Sequence, residues 1–276
     1  MKTKNVKRAL LYLLLLALSA IWWLPLAWSI IASFKPIGSP LADPSTWLVP
    51  PFTLDNYCFV FSNSQSHIPL WMGNSIVTAG ISTLLIVFLA SLSGYAFSCF
   101  NFPFKGFWFW VVMAGMMIPF QSLLIPMYIM FSKMRLLNSY WVLILPYLGS
   151  SFGVILMKQF IDSLPKALFD AGRIDGCSST RLYASIVLPL IRPALASLCI
   201  FVFLQQWNDF LWPFIAITKQ SMMTIPVGIV LFKSQGEMDK GYALAANVVA
   251  IMPVLIAFLI FQKNIVKGVT LSGIKG

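Results

Sequence analysis

An all-α integral membrane protein with six transmembrane helices is the fold this sequence predicts, on three observations. Of its 276 residues 59% are hydrophobic and only 10% charged, where a soluble domain carries about 25% charge. The apolar residues gather in runs of the length, about 20 residues, that a helix needs to cross a bilayer. Between the fourth and fifth runs stands one compact charged stretch, DAGRIDGCSS, from Asp170 to Ser179. Irregular backbone facing lipid has nothing to satisfy its hydrogen bonds, so the apolar runs are read as helices.

The first run, Ala9 to Phe34, is longer than a signal-peptide core of about 7 to 15 residues. No persuasive small-residue cleavage site follows it, so it is read as a retained anchor. Pro36 to Leu70, rich in Pro, Ser and Asn, reads as a folded external loop too short for a separate domain. Further spans are expected at Trp71–Phe97, Phe107–Phe131, Tyr140–Phe160, Pro193–Ile217 and Tyr242–Phe261. Short connections near Asn101 and from Lys133 to Ser139 make the second, third and fourth spans antiparallel neighbours. The organisation expected is an anchor and external loop over 1–70, a membrane core over 71–262 with a cytoplasmic loop at 161–192, and a tail over 263–276.

Basic residues gather at the cytoplasmic ends of spans. With the N-terminus inside, thirteen of the nineteen Lys and Arg, among them Arg173, Arg181 and Arg192, are cytoplasmic, whereas Lys35, Lys219 and four others are not. Both termini are therefore expected inside. The net charge of +11 then reflects attraction to anionic membrane lipid. Nucleic acid is not expected as a partner, because the basic residues are dispersed rather than gathered on one face. Cys58 falls on the oxidising side, Cys99 and Cys177 on the reducing side, and Cys199 within a span, so no disulfide within the chain can close the external face. No metal-ligand spacing is present and no cofactor is expected.

Helix breakers interrupt several runs: Gly80 and Gly94 in the second, Pro119 and Pro126 in the third, Pro146 in the fourth, Pro213 in the fifth and Pro253 in the sixth. Proline in a membrane helix either lines a cavity where freed carbonyls find other partners, or is ordinary packing.

The charged stretch reads as a helix-turn-helix knob. Pro165 suits a first helical turn, and Leu164, Leu168, Ala171 and Ile174 recur at intervals of four, three and three, which makes one apolar stripe. Gly176 is placed to end this helix in a left-handed conformation. Ser178 or Ser179 then caps a second helix with Leu182, Tyr183, Ile186, Val187 and Leu190 on its apolar face. Such a knob either lies on lipid headgroups or docks into a protein groove. Asp162, Asp170 and Asp175 would face anionic lipid, which favours the groove.

At these residues the chain resembles the inner-membrane permease subunits of ATP-binding-cassette importers, in their maltose-type carbohydrate branch. That family's signature runs close to LPxxLxEAARIDGAS. Leu164, Pro165, Leu168, Asp170, Ala171, Gly172, Arg173, Ile174, Asp175, Gly176 and Ser178 stand at its places, with departures at Asp170 for Glu, Gly172 for Ala and Cys177 for Ala. TLDNY with the later Asn74-Ser75, IPFQSLLIP, LPL followed by Pro193, WNDFLWP and KGVTLSGIKG extend the resemblance over nearly the whole chain.

The resemblance implies a type I importer permease in a bacterial or archaeal inner membrane. It implies half of a translocation pathway for a carbohydrate or related polar solute. The implied partners are a second and usually distinct permease, a dimer of ATPase subunits and an extracytoplasmic solute-binding protein. Leu164, Leu168, Ala171 and Ile174 would bear the load of docking in the ATPase, with Asp170, Arg173 and Asp175 fixing register around Gly172 and Gly176. The tail VTLSGIKG either reaches toward the ATPase or frays.

Asp209 is the only acid within a predicted span, and such an acid normally faces a cavity or a partner. Asn208 and Asp209 are read as lining the pathway, with Trp207 or Trp212 offering a ring face to a sugar and Gln121 a further candidate. The competing reading pairs Asp209 across an interface and makes Trp212 an interfacial anchor. An ion-coupled secondary transporter is the rival class, and a single acid without a membrane His makes a poor relay. An enzyme is not expected. The chain has no GxxxxGK[ST] phosphate loop, and His67, in the external loop, accompanies no catalytic arrangement.

Overall fold

The computed structural model of the chain describes residues 2–41, 43–62, 66–234 and 240–272, and among these every regular element is helical. In chain order they are α1 (Lys2–Ser33), α2 (Asp55–Ser62), α3 (Ile68–Cys99), α4 (Lys105–Met117), α5 (Leu124–Lys133), α6 (Tyr140–Ile144) and α7 (Ser151–Asp162). There follow α8 (Lys166–Ile174), α9 (Ser179–Leu182), α10 (Leu188–Leu190), α11 (Arg192–Trp207), α12 (Leu211–Ala216), α13 (Ile225–Ser234) and α14 (Lys240–Ser272). The chain divides into two compact units, one of Met1–Leu70 with Gly228–Met252 and one of Trp71–Val227 with Pro253–Gly276.

In the first unit every described side chain of α1 from Leu10 to Ala27 is exposed, as suits a helix whose solvent is lipid. Its end is tied down. Asn56, wholly buried on α2, donates its amide to the carbonyls of Ser33 and Lys35, each at 2.8 Å. The Thr53 N–H donates to the Phe34 carbonyl at 2.7 Å, and Ser33 Oγ lies 2.6 Å from the Tyr57 hydroxyl. The bonds from Asn56 and Thr53 satisfy carbonyls that the end of a helix otherwise leaves orphaned.

Three unbroken helices have the length and apolarity to cross a membrane: Leu10–Ser33, Ile68–Cys99 and Lys240–Ile260. The other expected spans are not single helices. α4 and the stretch Phe120–Lys133 meet at 94°, the stretch Tyr140–Tyr147 and α7 at 46°, and the stretch Ser179–Leu190 and α11 at 77°. The chain reaches six spans if each bent pair counts as one. The expected fifth span, Pro193–Ile217, also breaks, because α11 ends at Trp207 and α12 begins at Leu211.

Proline stands at or beside three of these breaks, where it donates no backbone hydrogen bond and its ring collides with the preceding turn. Pro119 stands between α4 and α5, Pro146 between α6 and α7, and Pro213 in the first turn of α12. Pro253 does not interrupt α14, nor Gly80 and Gly94 α3.

The core of the second unit forms where α3, α7 and α11 meet the hairpin: Ile86 and Ala90, Met157 and Ile161, and Leu198 and Val202 pack with Phe169 and Leu182. Gly94 allows α3 this close to α7, because a Cβ there would lie 2.7 Å from Met157 Cβ and 2.8 Å from the Lys158 backbone nitrogen. The chain between α12 and α13, extended on either side of a single 3₁₀ turn at Gln220–Met222, borrows partners from α3. Trp71 Nε1 donates to Gln220 O at 2.7 Å, Asn74 Nδ2 to Ser221 O and Met223 O at 3.0 and 2.9 Å, and Ser75 Oγ accepts from the Ile225 N–H at 2.8 Å. Irregular backbone is tolerated at membrane depth where side chains satisfy it in this way.

Candidate functional site

The charged hairpin is built on a C-terminal glycine motif. Asp175 caps α8, Gly176 takes φ +73°, its N–H donates to Arg173 O at 3.1 Å, and the Cys177 N–H donates to Gly172 O at 2.9 Å. That pair of bonds is the Schellman closure, which needs a residue at ease with positive φ. Ser178 starts α9 by accepting the Arg181 N–H on its hydroxyl at 3.3 Å, so of the two serines it is the cap.

α8 splits its residues cleanly between two faces. Phe169 and Gly172 are buried, whereas Leu168, Ala171 and Ile174 are exposed, Ile174 to 86%. Asp170 and Arg173 also lie outside and face each other at 3.5 Å, while Asp175 and Gly176 occupy the exposed corner. The expected stripe therefore loses one member: Leu164 is half-buried against the core. Gly172 has a packing reason, since a Cβ there would come within 2.9 Å of Ile186 Cδ1 and 3.2 Å of Leu182 Cδ1. Phe169, which the signature pattern passes over, anchors the knob from beneath, and burying such a ring is worth about 1.5–3 kcal/mol.

The second helix also departs from expectation at one residue. Leu182, Tyr183 and Val187 are buried and Ile186 half-buried, but Leu190 is exposed and Ile191 takes the buried place. A single π turn over Tyr183–Val187 explains this, because the wider turn moves each later side chain back by about one position. Two tyrosine hydroxyls bind the hairpin to α3: Tyr183 OH lies 2.6 Å from Ser91 Oγ, and Tyr95 OH donates to Ser179 O at 3.0 Å.

A second cluster forms where three helix breaks converge. Phe120, in the turn between α4 and α5, stacks on Tyr147 with centroids 5.4 Å apart. Tyr147, at the break before α7, donates its hydroxyl to the Asp209 carboxylate. Asp209, between α11 and α12, also faces the backbone N–H groups of Trp212 and Leu211. The expected pathway residues fall around this chain of contacts. Gln121, beside Phe120, and Asn208, beside Asp209, are exposed, and the Asn208 amide donates back to Leu204 O at 2.8 Å.

The two indoles stand otherwise. Trp207 is buried and stacks on Phe203, and Trp212 is wholly buried with Nε1 donating to Val142 O at 2.7 Å. Neither presents a ring face outward, nor is Trp212 at the surface in the manner of an interfacial anchor. Tyr147 is the member of this cluster that sequence reasoning missed. The available signal was an aromatic with a polar tip next to a helix-breaking proline, Pro146. Among the described residues no group of His, Cys, Asp and Glu is arranged to hold a metal ion.

Comparison with known proteins places this architecture. A profile of the binding-protein-dependent transport system inner membrane component family matches residues 86–271. An arabinooligosaccharides transport system permease protein, AraQ, of Halalkalibacterium halodurans is 34% identical over 91% of each chain. A trehalose/maltose transport system permease protein, MalG, of Thermococcus litoralis is 34% identical over the full length of both. A chain from the crystal structure of a bacterial ABC transporter involved in the import of the acidic polysaccharide alginate superposes with a TM-score of 0.84, over 95% of this chain and 98% of its own. At 16% identity that likeness speaks for the fold alone, and the fold is the expected helical permease fold. Signature, bent helices and full-length relatives agree: the chain belongs to the family of inner membrane components of binding-protein-dependent transport systems.

Proposed function

We propose that the chain forms half of the translocation pathway of an ATP-driven importer of a carbohydrate or related polar solute. In this reading it has no catalytic residues of its own. A dimer of separate ATPase subunits supplies the energy, a second permease completes the pathway, and an extracytoplasmic solute-binding protein delivers the cargo. The sugar-transport names of its full-length relatives support the cargo class. Both termini are cytoplasmic, residues 1–70 serve as anchor and external loop, and 71–262 are the permeation core. The tail, 263–276, runs beyond the side chains the structure describes.

One observation supports the coupling most directly: Leu168, Ala171 and Ile174 stand exposed on a helix whose other face is buried and whose end is locked by Gly176. Apolar side chains held rigidly in this way suit insertion into a groove of a partner, with Asp170, Arg173 and Asp175 setting register. As the ATPases close on ATP, the knob moves with its groove and carries the attached helices, which is alternating access by rigid-body motion. Asp209, Asn208 and Gln121 line the pathway at the junction of the breaks.

The test is Gly176→Val. A β-branched side chain resists positive φ, so the variant should insert and assemble its membrane helices yet lose ATP-driven uptake in proteoliposomes. Uptake at the wild-type rate would sink the coupling role, and uptake that persists without ATP would sink the class.

A further inference from the structure

Lys35 is buried to 5% exposure two residues past the end of α1. Its ammonium donates to the Val49 carbonyl and lies 4.3 Å from the centroid of Phe52. Among the described residues no carboxylate pairs with it. Asp43, the one charged residue between Pro36 and Leu54, is turned instead to the N–H and hydroxyl of Ser45, at 2.9 and 2.7 Å. A buried cation without an anion is costly, and a lysine near the end of a span ordinarily reaches out to the headgroups instead.

Lys35 also forms part of the wall of a recess of about 180 Å³, with Ile31, Pro40, Trp47 and Pro50. The hydroxyls that border it, Ser39 and Thr46, are spent on backbone carbonyls. The recess therefore offers one positive charge in an apolar wall and few groups with which to bind a neutral sugar. Outside it the loop exposes Ile37, Leu48, Val49, Phe52 and Leu54. These five lie in the loop that follows α1, whose surface from Leu10 to Ala27 is exposed and mostly apolar.

We infer that this recess binds the phosphate of an anionic phospholipid from the leaflet in which α1 ends. Lys35 supplies the cation, and the exposed face of Leu48, Phe52 and Leu54 lies along an acyl chain. The bonds from Asn56 and Thr53 to the end of α1 hold Lys35 beneath the loop in advance of binding. The loop becomes an element of the membrane interface rather than one standing in water.

The test uses the assembled transporter extracted in mild nonionic detergent, with retained lipid counted by native mass spectrometry. Wild type and Lys35→Arg should each retain one phosphatidylglycerol that Lys35→Met loses. In nanodiscs the thermal midpoint should rise by several degrees from phosphatidylcholine to phosphatidylglycerol for wild type, and by much less for Lys35→Met. Should Lys35→Met fail to assemble, Leu48→Ser, at a side chain 75% exposed, should weaken retention severalfold. Equal retention in all variants overturns the site. An equal rise in midpoint from inorganic phosphate in lipid-free detergent overturns the lipid as the source of the anion. Protection that appears only with the solute-binding protein present assigns Lys35 to an acidic protein partner and also overturns it.

Discussion

Tyr147 and Asp209 show how an acidic side chain is accommodated inside a membrane protein. The carboxylate has a hydroxyl donor and two backbone N–H groups beside it, so it need not stand alone in hydrocarbon. Tyr147→Phe keeps the ring against Phe120 but removes the donor. An unmade buried hydrogen bond of this kind costs about 1–3 kcal/mol, which should appear as a lower thermal midpoint of the purified complex. Asp209→Asn should impair uptake more than Asp43→Asn, because Asp43 only caps a three-residue turn at the surface. Hydrogen bonds from the Ser45 hydroxyl and N–H hold the Asp43 carboxyl below its ordinary range. Its folded value being depressed, that cap is complete at neutral pH and is lost only in strong acid, so the comparison is unaffected by pH near 7. Equal effects of the two substitutions would make Asp209 structural. Asp209 was legible as the lone acid of a span. Its partner was not, because no local pattern links positions sixty-two residues apart.

Among the helices, apolar length was legible and continuity was not. α1, α3 and α14 continue unbroken through Pro25, Gly80 and Pro253, whereas Pro119, Pro146 and Pro213 stand at or beside breaks. A proline frees a carbonyl in every case. Whether the helix then ends depends on what else can satisfy the freed groups, and that is a matter of tertiary neighbours. The same limit hid the π turn, which exchanges Leu190 for Ile191 in the core without any mark in residue periodicity. The close approach of α3 to α7 gives a quantitative check. Gly94→Ala must push the helices apart, since the obstacles are Met157 Cβ and the backbone of Met157 and Lys158 rather than a flexible side-chain tip, at about 1–3 kcal/mol for such overpacking. Gly80→Ala, in open space, should be neutral or stabilising by up to about 1 kcal/mol. Thermal denaturation of the two variants, side by side, separates packing from propensity; a neutral Gly94→Ala would contradict the packing argument.

For the molecule as a whole, the hairpin is fastened to more than the helices that flank it in sequence. Tyr183 and Tyr95 tie it to α3, an unbroken helix long enough to cross the membrane. Under the proposed coupling, a push on the hairpin moves α3 as well as α7 and α11. Tyr183→Phe should therefore leave ATP hydrolysis near the wild-type rate while uptake per ATP falls severalfold. Parallel losses of both would point to damaged assembly instead. The hairpin's outline was legible from Gly176 and the apolar spacing, but its attachment to α3 was not, because Ser91 and Tyr183 belong to separate segments of the chain.

The same knob bears on the life of a copy made without its companions. Ile174, almost wholly uncovered on a rigid corner, is the kind of greasy surface that chaperones bind and membrane proteases select. Under the proposed docking, surplus copies should be cleared until a partner covers Ile174, so that degradation keeps the amounts of the different gene products in step.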